Sequence, residues 1–183
     1  MSPLHRLERT LVLPIGLDEA WSFFSDPRNL ARITPPDLGF RVTSELPERM
    51  YEGLFISYQI APLFGVPMRW LTEITHIEEG VMFVDEQRMG PYRLWHHEHW
   101  FRSVPGGVEM RDVLHYAMPF GALGEAAHAL LVGRQVRGIF DYRERVLERR
   151  FTPRRRAADA SGATSGAAPA RPIGVMRSAE GTA

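Results

Sequence analysis

Residues 92–118 read YRLWHHEHWFRSVPGGVEMRDVLHYAM, and this stretch decides the fold class. Apolar and polar side chains alternate through 92–104 and again through 108–118, which predicts two half-buried strands. Pro105, Gly106 and Gly107 separate the two runs, and glycine supplies the positive φ that a tight hairpin turn needs. The stretch therefore predicts an antiparallel hairpin with one face directed toward the core.

Further strand patterns precede this hairpin, at residues 4–13, 40–46, 54–60, 69–77 and 81–88. Two short helices are predicted after the first strand, one capped by Asp18 and one started by Asp26 and Pro27. From residue 121 to 151 the apolar period changes to 3.6, which predicts one long amphipathic helix. Only this helix is long enough to cover the apolar face of the sheet.

The predicted fold class is α+β, with a curved antiparallel sheet of about seven strands wrapped around the long C-terminal helix. Residues 1–151 form the predicted domain, and 152–183 form an Ala-, Arg-, Gly- and Pro-rich tail that is expected to be disordered. If the two short helices block one end of the sheet, the interior contains a pocket rather than a filled core.

Composition excludes several classes of function. The chain has no cysteine, which rules out disulfides, thiolate catalysis and cysteine-bound zinc. Its 22 basic and 22 acidic residues balance, so no nucleic-acid partner is expected. Neither a membrane-inserting segment nor a signal peptide is indicated, and a cytoplasmic location is expected. The oligomeric state stays open.

Eight motifs along residues 4–151 resemble one known superfamily. They are FSDPRNL at 24–30, ITPP at 33–36, RWLTEI at 69–74, FVDEQ at 83–87, GPYRLWHHEH at 90–99, DVLHY at 112–116, PFG at 119–121 and IFDYR at 139–143. The chain resembles the START/Bet v 1-like (SRPBCC, helix-grip) superfamily, specifically its bacterial group of ligand-binding, polyketide-cyclase-like proteins. The resemblance implies a hydrophobic cavity between sheet and helix. Among such relatives some cyclise polyketides, some carry lipids and some only bind a ligand.

Strand alternation predicts which side chains face this cavity. Arg143 lies within the apolar stripe of the last helix, where an unpaired charge is costly, so we expect a charge-assisted hydrogen bond to Asp85 or Asp112. Trp70 and Trp95 are the aromatic residues expected to shape the pocket. The full set of predicted ligand-binding residues is Trp70, Asp85, Gln87, Trp95, His97, His99, Asp112, Tyr116 and Arg143.

Two interpretations of the polar residues remain open. Arg143 with its aspartate is either a structural tie between helix and sheet or an anchor for an anionic ligand group. His97 and Asp112 are also candidates for a general acid/base pair, with Tyr116 polarising a carbonyl. His97 and His99 share a strand face near an aspartate, but no third ligand has a diagnostic spacing, so we expect no metal and no cofactor.

The predicted function is the binding of a small hydrophobic molecule in the cavity. The first alternative is a cyclase or dehydratase that uses the same cavity. The second is a non-catalytic interaction module, since related domains joined to an epimerase-like domain are labelled cell-division inhibitors; this chain has no Rossmann glycine fingerprint.

Overall fold

The structure is a computed structural model that describes residues 3–62 and 65–152. Its strands are β1 (His5–Leu13), β2 (Arg41–Val42), β3 (Phe55–Ile60), β4 (Met68–Glu78), β5 (Met82–Met89), β6 (Leu94–Val104) and β7 (Gly107–Ala117). Its α-helices are α1 (Leu17–Phe24), α2 (Gly121–Ala127) and α3 (Gly133–Phe151). Two 3-10 helices cover Pro27–Arg32 and Pro36–Leu38, and a π-helical turn at His128–Val132 joins α2 to α3.

The strands form one antiparallel sheet in the order β1-β7-β6-β5-β4-β3-β2. The β6–β7 hairpin predicted from residues 92–118 lies near one edge, and β1 pairs with β7. Gly107 has φ 147°, and a Cβ at this position would overlap the main-chain carbonyl oxygen of Leu13. Only glycine therefore allows the hairpin turn to approach the end of β1 this closely.

Helix α3 packs on the inner face of the sheet through side chains spaced by one or two turns. Val136, Phe140 and Leu147 are each less than 5% exposed. Phe140 and Val136 pack with Leu114 of β7, whereas Leu147 belongs to a second cluster with Leu13 of β1. This stripe was predicted from the 3.6-residue period, and it confirms the helix-grip arrangement.

Two local predictions were wrong. The strand predicted at 40–46 is reduced to Arg41–Val42. It ends because the Ser44 hydroxyl, rather than a further ladder of main-chain groups, accepts from the Ser57 amide. Helix α1 begins one residue before Asp18, with Gly16 at its N-cap and no side-chain cap. The predicted Asp26 cap is confirmed, since its carboxylate accepts from the Arg28 amide.

In the described part of the chain no helix is long and apolar enough to cross a membrane. The tail predicted at 152–183 lies outside the described residues except for Thr152.

Candidate functional site

A cavity of about 160 Å³ lies between the sheet and α3. Most of its lining is apolar and comes from α1, the first 3-10 helix and strands β3 to β5. These apolar lining residues include Phe23, Leu30, Ile33, Ile56, Ile60, Ile74 and Phe83. Because such a wall offers few hydrogen bonds, the few polar groups that reach it decide which molecules can be accommodated.

Three aromatic rings form one end of the cavity. Trp70 and Trp95 meet edge to face with their ring centroids 5.1 Å apart, and Tyr92 lies 4.8 Å from Trp95. Edge-to-face contacts of this kind hold large rings in fixed positions. Both tryptophans predicted as pocket residues line the cavity.

A cluster of two aspartates, two histidines and one arginine, called here the carboxylate–imidazole cluster, adjoins the cavity. Its members are Asp85, His97, His99, Asp112 and Arg143. They meet because β5, β6 and β7 are neighbours, with Asp85 opposite His97 and His99 opposite Asp112 in the ladders. Three strands and α3 thus contribute to one polar group in an otherwise apolar interior.

The aspartates bridge the two imidazoles. His97 Nε2 lies 3.1 Å from Asp112 Oδ1, and His99 Nε2 lies 2.9 Å from Asp85 Oδ2. His97 Nδ1 is also 3.4 Å from Asp85 Oδ2, so both ring nitrogens of His97 face a carboxylate. His99 Nδ1 lies 2.8 Å from Asp112 Oδ1 but lacks hydrogen-bonding geometry and is buried without a partner among the described residues.

Arg143 pairs with Asp112 more loosely than the sequence predicted. Its Nη1 lies 3.8 Å from Asp112 Oδ1, which is an ion-pair distance and too long for the expected hydrogen bond. Arg143 Nε is buried and has no partner among the described residues. The guanidinium carbon lies 5.1 Å from the centroid of the Phe140 ring, a cation–π contact within α3.

Electrostatics in the cluster favour ionised aspartates and a protonated His97. Burial opposes ionisation of Asp85, but the contacts with His97 and His99 outweigh it and hold the pKa of Asp85 below its usual range. The same balance lowers the pKa of Asp112. Burial would lower the pKa of His97, but its contacts with Asp112 and Asp85 raise it above the ordinary value. An imidazolium has two N–H donors, which suits a ring placed between two carboxylates.

These pKa shifts predict that the free energy of unfolding falls on both sides of a window from about pH 4 to pH 6.5. Folding lowers the pKa of Asp85 and Asp112, so their contribution is present above the unfolded value of about 3.9 and is lost as the pH falls further. Folding raises the pKa of His97, so its contribution is complete below about pH 6.5 and is lost as the pH rises. Urea unfolding between pH 3 and pH 9 measures both limbs.

The variant His97→Asn tests the assignment of the alkaline limb, and His76→Asn is its matched control because His76 lies on the exposed surface of β4. Burial chiefly lowers the pKa of His128, so folding of this residue makes the free energy of unfolding rise rather than fall with increasing pH. Comparing the two variants therefore isolates the contribution of His97. We expect His97→Asn to flatten the decline above pH 6.5 and His76→Asn to retain it. An unchanged decline in His97→Asn would contradict the assignment.

Six of the nine predicted binding residues line the cavity, namely Trp70, Asp85, Trp95, His97, His99 and Arg143. Gln87, Asp112 and Tyr116 do not. Asp112 instead lies beside His97, His99 and Arg143, all three of which line the cavity. The Gln87 amide is turned back to the next hairpin, where Nε2 donates to the Tyr92 carbonyl and Oε1 accepts from the Tyr92 amide.

The three predicted catalytic residues are not assembled around one space. His97 contacts Asp112. The Tyr116 hydroxyl instead lies 2.8 Å from Nε2 of His128, the first residue of the π-helical turn before α3. The Tyr116 ring is packed under α3 with Leu114 and Val136. Strand alternation placed Tyr116 on the correct face, but its distance along β7 separates it from the cavity.

Six polar residues that were not predicted to bind a ligand also line the cavity: Asp26, Asn29, Thr34, Tyr58, Thr72 and Gln135. Tyr58 and Thr72 occupy inward positions of β3 and β4, so alternation was the available signal for both. Burial, with a smaller effect of the Asp85 charge, raises the pKa of Tyr58, which keeps its hydroxyl protonated.

An apolar groove of about 520 Å³ adjoins the cavity. Pro62, Pro91, Tyr92 and Gln135 line both spaces. The Gln135 amide donates to the Pro62 carbonyl at this boundary. Gln135 and Pro62, which line both spaces, are thus held together by a hydrogen bond where the two spaces adjoin.

The sheet wrapped around a C-terminal helix, with a lined cavity between them, defines a helix-grip protein. Three solved structures are similar to the chain in fold. Ginseng major latex-like protein 151 from Panax ginseng has a TM-score of 0.60 at 13% identity, covering 82% of this chain and 99% of its own. A protein from Thermus thermophilus has a TM-score of 0.57 at 22% identity, covering 81% of this chain and 97% of its own. Protein CV1439 from Chromobacterium violaceum has a TM-score of 0.59 at 15% identity, covering 82% of this chain and 97% of its own.

The chain has the Bet v 1-like fold, as its motifs indicated. No protein-family model and no curated protein matches the sequence. At these identities the similarity concerns the fold alone.

Proposed function

We propose that this protein binds a small, uncharged, mostly apolar molecule in the cavity, with one acceptor oxygen directed at Arg143. The observation that carries the proposal is that Arg143 lines the mostly apolar cavity and that its buried Nε has no partner among the described residues. A buried N–H without a partner is costly, and a ligand oxygen that accepts from it recovers that cost.

The volume of the cavity supports a ligand portion of about one ring. An apolar cavity of about 150 Å³ is sufficient to hold benzene, and this one measures about 160 Å³. Its apolar wall favours hydrocarbon, and the rings of Trp70 and Trp95 offer edges and faces for an aromatic or alicyclic group. A larger ligand would extend past Gln135 into the adjoining groove.

The charges around the cavity support a neutral ligand. Asp85 and Asp112 are ionised, while Arg143 and protonated His97 supply two positive charges, so these four groups balance one another. An anionic ligand would add an uncompensated charge to a buried site, which is unfavourable. A carbonyl, ether or hydroxyl oxygen accepts from Arg143 without disturbing this balance.

The test uses three probes of nearly equal size: toluene, phenol and benzoate, each titrated by calorimetry or ligand-detected NMR near pH 6. We expect phenol and toluene to bind and benzoate to bind least. The variant Arg143→Lys keeps the charge opposite Asp112 but removes the Nε donor. It should weaken phenol binding by about 10- to 150-fold, since a hydrogen bond to a charged group contributes about 1.5–3 kcal/mol, and leave toluene binding nearly unchanged.

A cavity-filling variant locates the binding. Thr72 is buried and lines the cavity, so Thr72→Phe should weaken phenol and toluene together by more than about 10-fold, because the added ring occupies the ligand volume. Thr43→Phe is the matched control, since Thr43 is exposed at the edge of the sheet. Equal binding of both probes by wild type and Thr72→Phe would place them elsewhere and defeat the proposal.

A further inference from the structure

A second group of polar side chains lies away from the cavity, where the first residue of β1 meets α2 and the π-helical turn. His5, Glu125 and His128 each offer one ligand atom, and the three atoms lie within 4.8 Å of one another. His5 Nε2 is 2.9 Å from Glu125 Oε2. Glu125 and His128 are three residues apart, so they project from the same side of the helix toward β1.

From this arrangement we infer that His5, Glu125 and His128 form a binding site for one zinc ion or a similar divalent transition metal. Two imidazoles and one carboxylate are ligands that zinc prefers, at about 2.0–2.2 Å from the metal, which separates tetrahedral donors by about 3.3 Å. The site is independent of the carboxylate–imidazole cluster and of the proposed cavity ligand.

Two features of the arrangement suit a bound cation. Glu125 Oε1 is buried and has no hydrogen-bond partner among the described residues. The rings of His5 and His128 are stacked, with centroids 3.6 Å apart and planes inclined by 16°, so the two imidazoles lie close enough together to reach one ion. Unprotonated ring nitrogens beside a carboxylate with a free oxygen provide the electron pairs that a metal ion needs.

The surroundings both orient the donors and leave access for an ion. The Tyr116 hydroxyl lies 2.8 Å from His128 Nε2 and directs that ring, as outer-shell partners of metal-bound histidines do. The side chains of His5 and Glu125 are 22% and 25% exposed, so water and ions reach them. The two rings must tilt from their nearly parallel stacking for their lone pairs to converge on one ion.

Protons compete with a metal ion for the ring nitrogens of His5 and His128. Since metal binding requires neutral imidazole, affinity should decrease as the pH falls below about 6.5.

The experiment titrates zinc chloride into the tag-free, full-length protein after treatment with EDTA and measures the heat of binding at pH 7.5. We expect one zinc per chain with a Kd below about 10 µM. His5→Asn and Glu125→Gln should each weaken binding about 100-fold through the loss of a ligand. Tyr116→Phe should weaken it about 10-fold, because Tyr116 only positions His128. Substituting cobalt should produce visible absorption bands of tetrahedral geometry.

His76→Asn is the matched control, because His76 Nδ1 lies 2.9 Å from Glu52 Oε1 in an exposed pair that lacks a third ligand among the described residues. Its zinc affinity should equal that of wild type. Circular dichroism of each variant checks that the fold is retained. Undiminished zinc binding by His5→Asn and Glu125→Gln, or a site lost in His99→Asn instead, would overturn the inference.

Discussion

Replacing Asp112 with alanine should lower the free energy of unfolding by about 3–5 kcal/mol, because the substitution leaves buried positive charge without its counter-charge. Asp112 is 5% exposed and accepts from His97 Nε2, and its Oδ1 lies 3.8 Å from Arg143 Nη1. After the substitution, Arg143 keeps no carboxylate at ion-pair distance among the described residues. Urea unfolding monitored by tryptophan fluorescence measures the loss.

Glu109→Ala is the matched control for this variant. Glu109 lies on the same strand, and its Oε1 is 2.8 Å from Nη2 of Arg102, whose side chain is 72% exposed. Surface ion pairs of this type contribute about 0–1 kcal/mol, so the control should cost little. The double variant Asp112→Ala, Arg143→Met should recover part of the loss, because it removes the uncompensated charge as well. Equal losses in Asp112→Ala and Glu109→Ala would show that the buried pair does not stabilise the fold.

Most of the fold could be predicted because each element has a clear period. The two runs in 92–118 alternate cleanly, and the structure pairs them along their length with the turn at the predicted glycines. The prediction at 40–46 failed because a short alternating pattern does not reveal where main-chain partners end. There Ser44 replaces a ladder hydrogen bond with a side-chain one. The π-helical turn at His128–Val132 was not predicted, because residues 121–151 were interpreted as one continuous helix.

The candidate site was predictable to the extent that alternation identifies a face. Asp85, His97 and His99 meet because neighbouring strands place inward positions opposite one another, and each of these residues was assigned to the inner face. Alternation does not give the position along a strand relative to the cavity, so Gln87 and Tyr116 were included although they lie beyond it. The Gln87 side chain packs so closely against Gly90 that a Cβ on residue 90 would overlap the Gln87 amide. His5 joins Glu125 and His128 through a contact with Glu125, which lies 120 positions away in the sequence. The periodicity of single elements does not predict a contact of this kind.

Leu147→Ala should lower the free energy of unfolding by about 2–5 kcal/mol, because it removes the side chain through which the last turns of α3 hold β1 and α1. Leu147 is 1% exposed and packs with Leu13, Phe23 and Ile33. Alanine has a higher helix propensity than leucine, so any loss must come from packing and the cavity left behind rather than from the helix itself. For a domain of this size the loss corresponds to a decrease in Tm of about 5–15 °C.

Two further variants separate packing from other effects of the Leu147 substitution. Leu147→Met keeps most of the volume and should cost less than about 1.5 kcal/mol. Leu130→Ala makes the same chemical change at a side chain that is 71% exposed, and it should alter stability by no more than about 0.5 kcal/mol. If Leu147→Ala and Leu130→Ala were equally mild, the end of α3 would not secure β1 and α1. The cavity would then depend on the contacts around Val136 and Phe140 alone, and its volume would be set by that half of the helix.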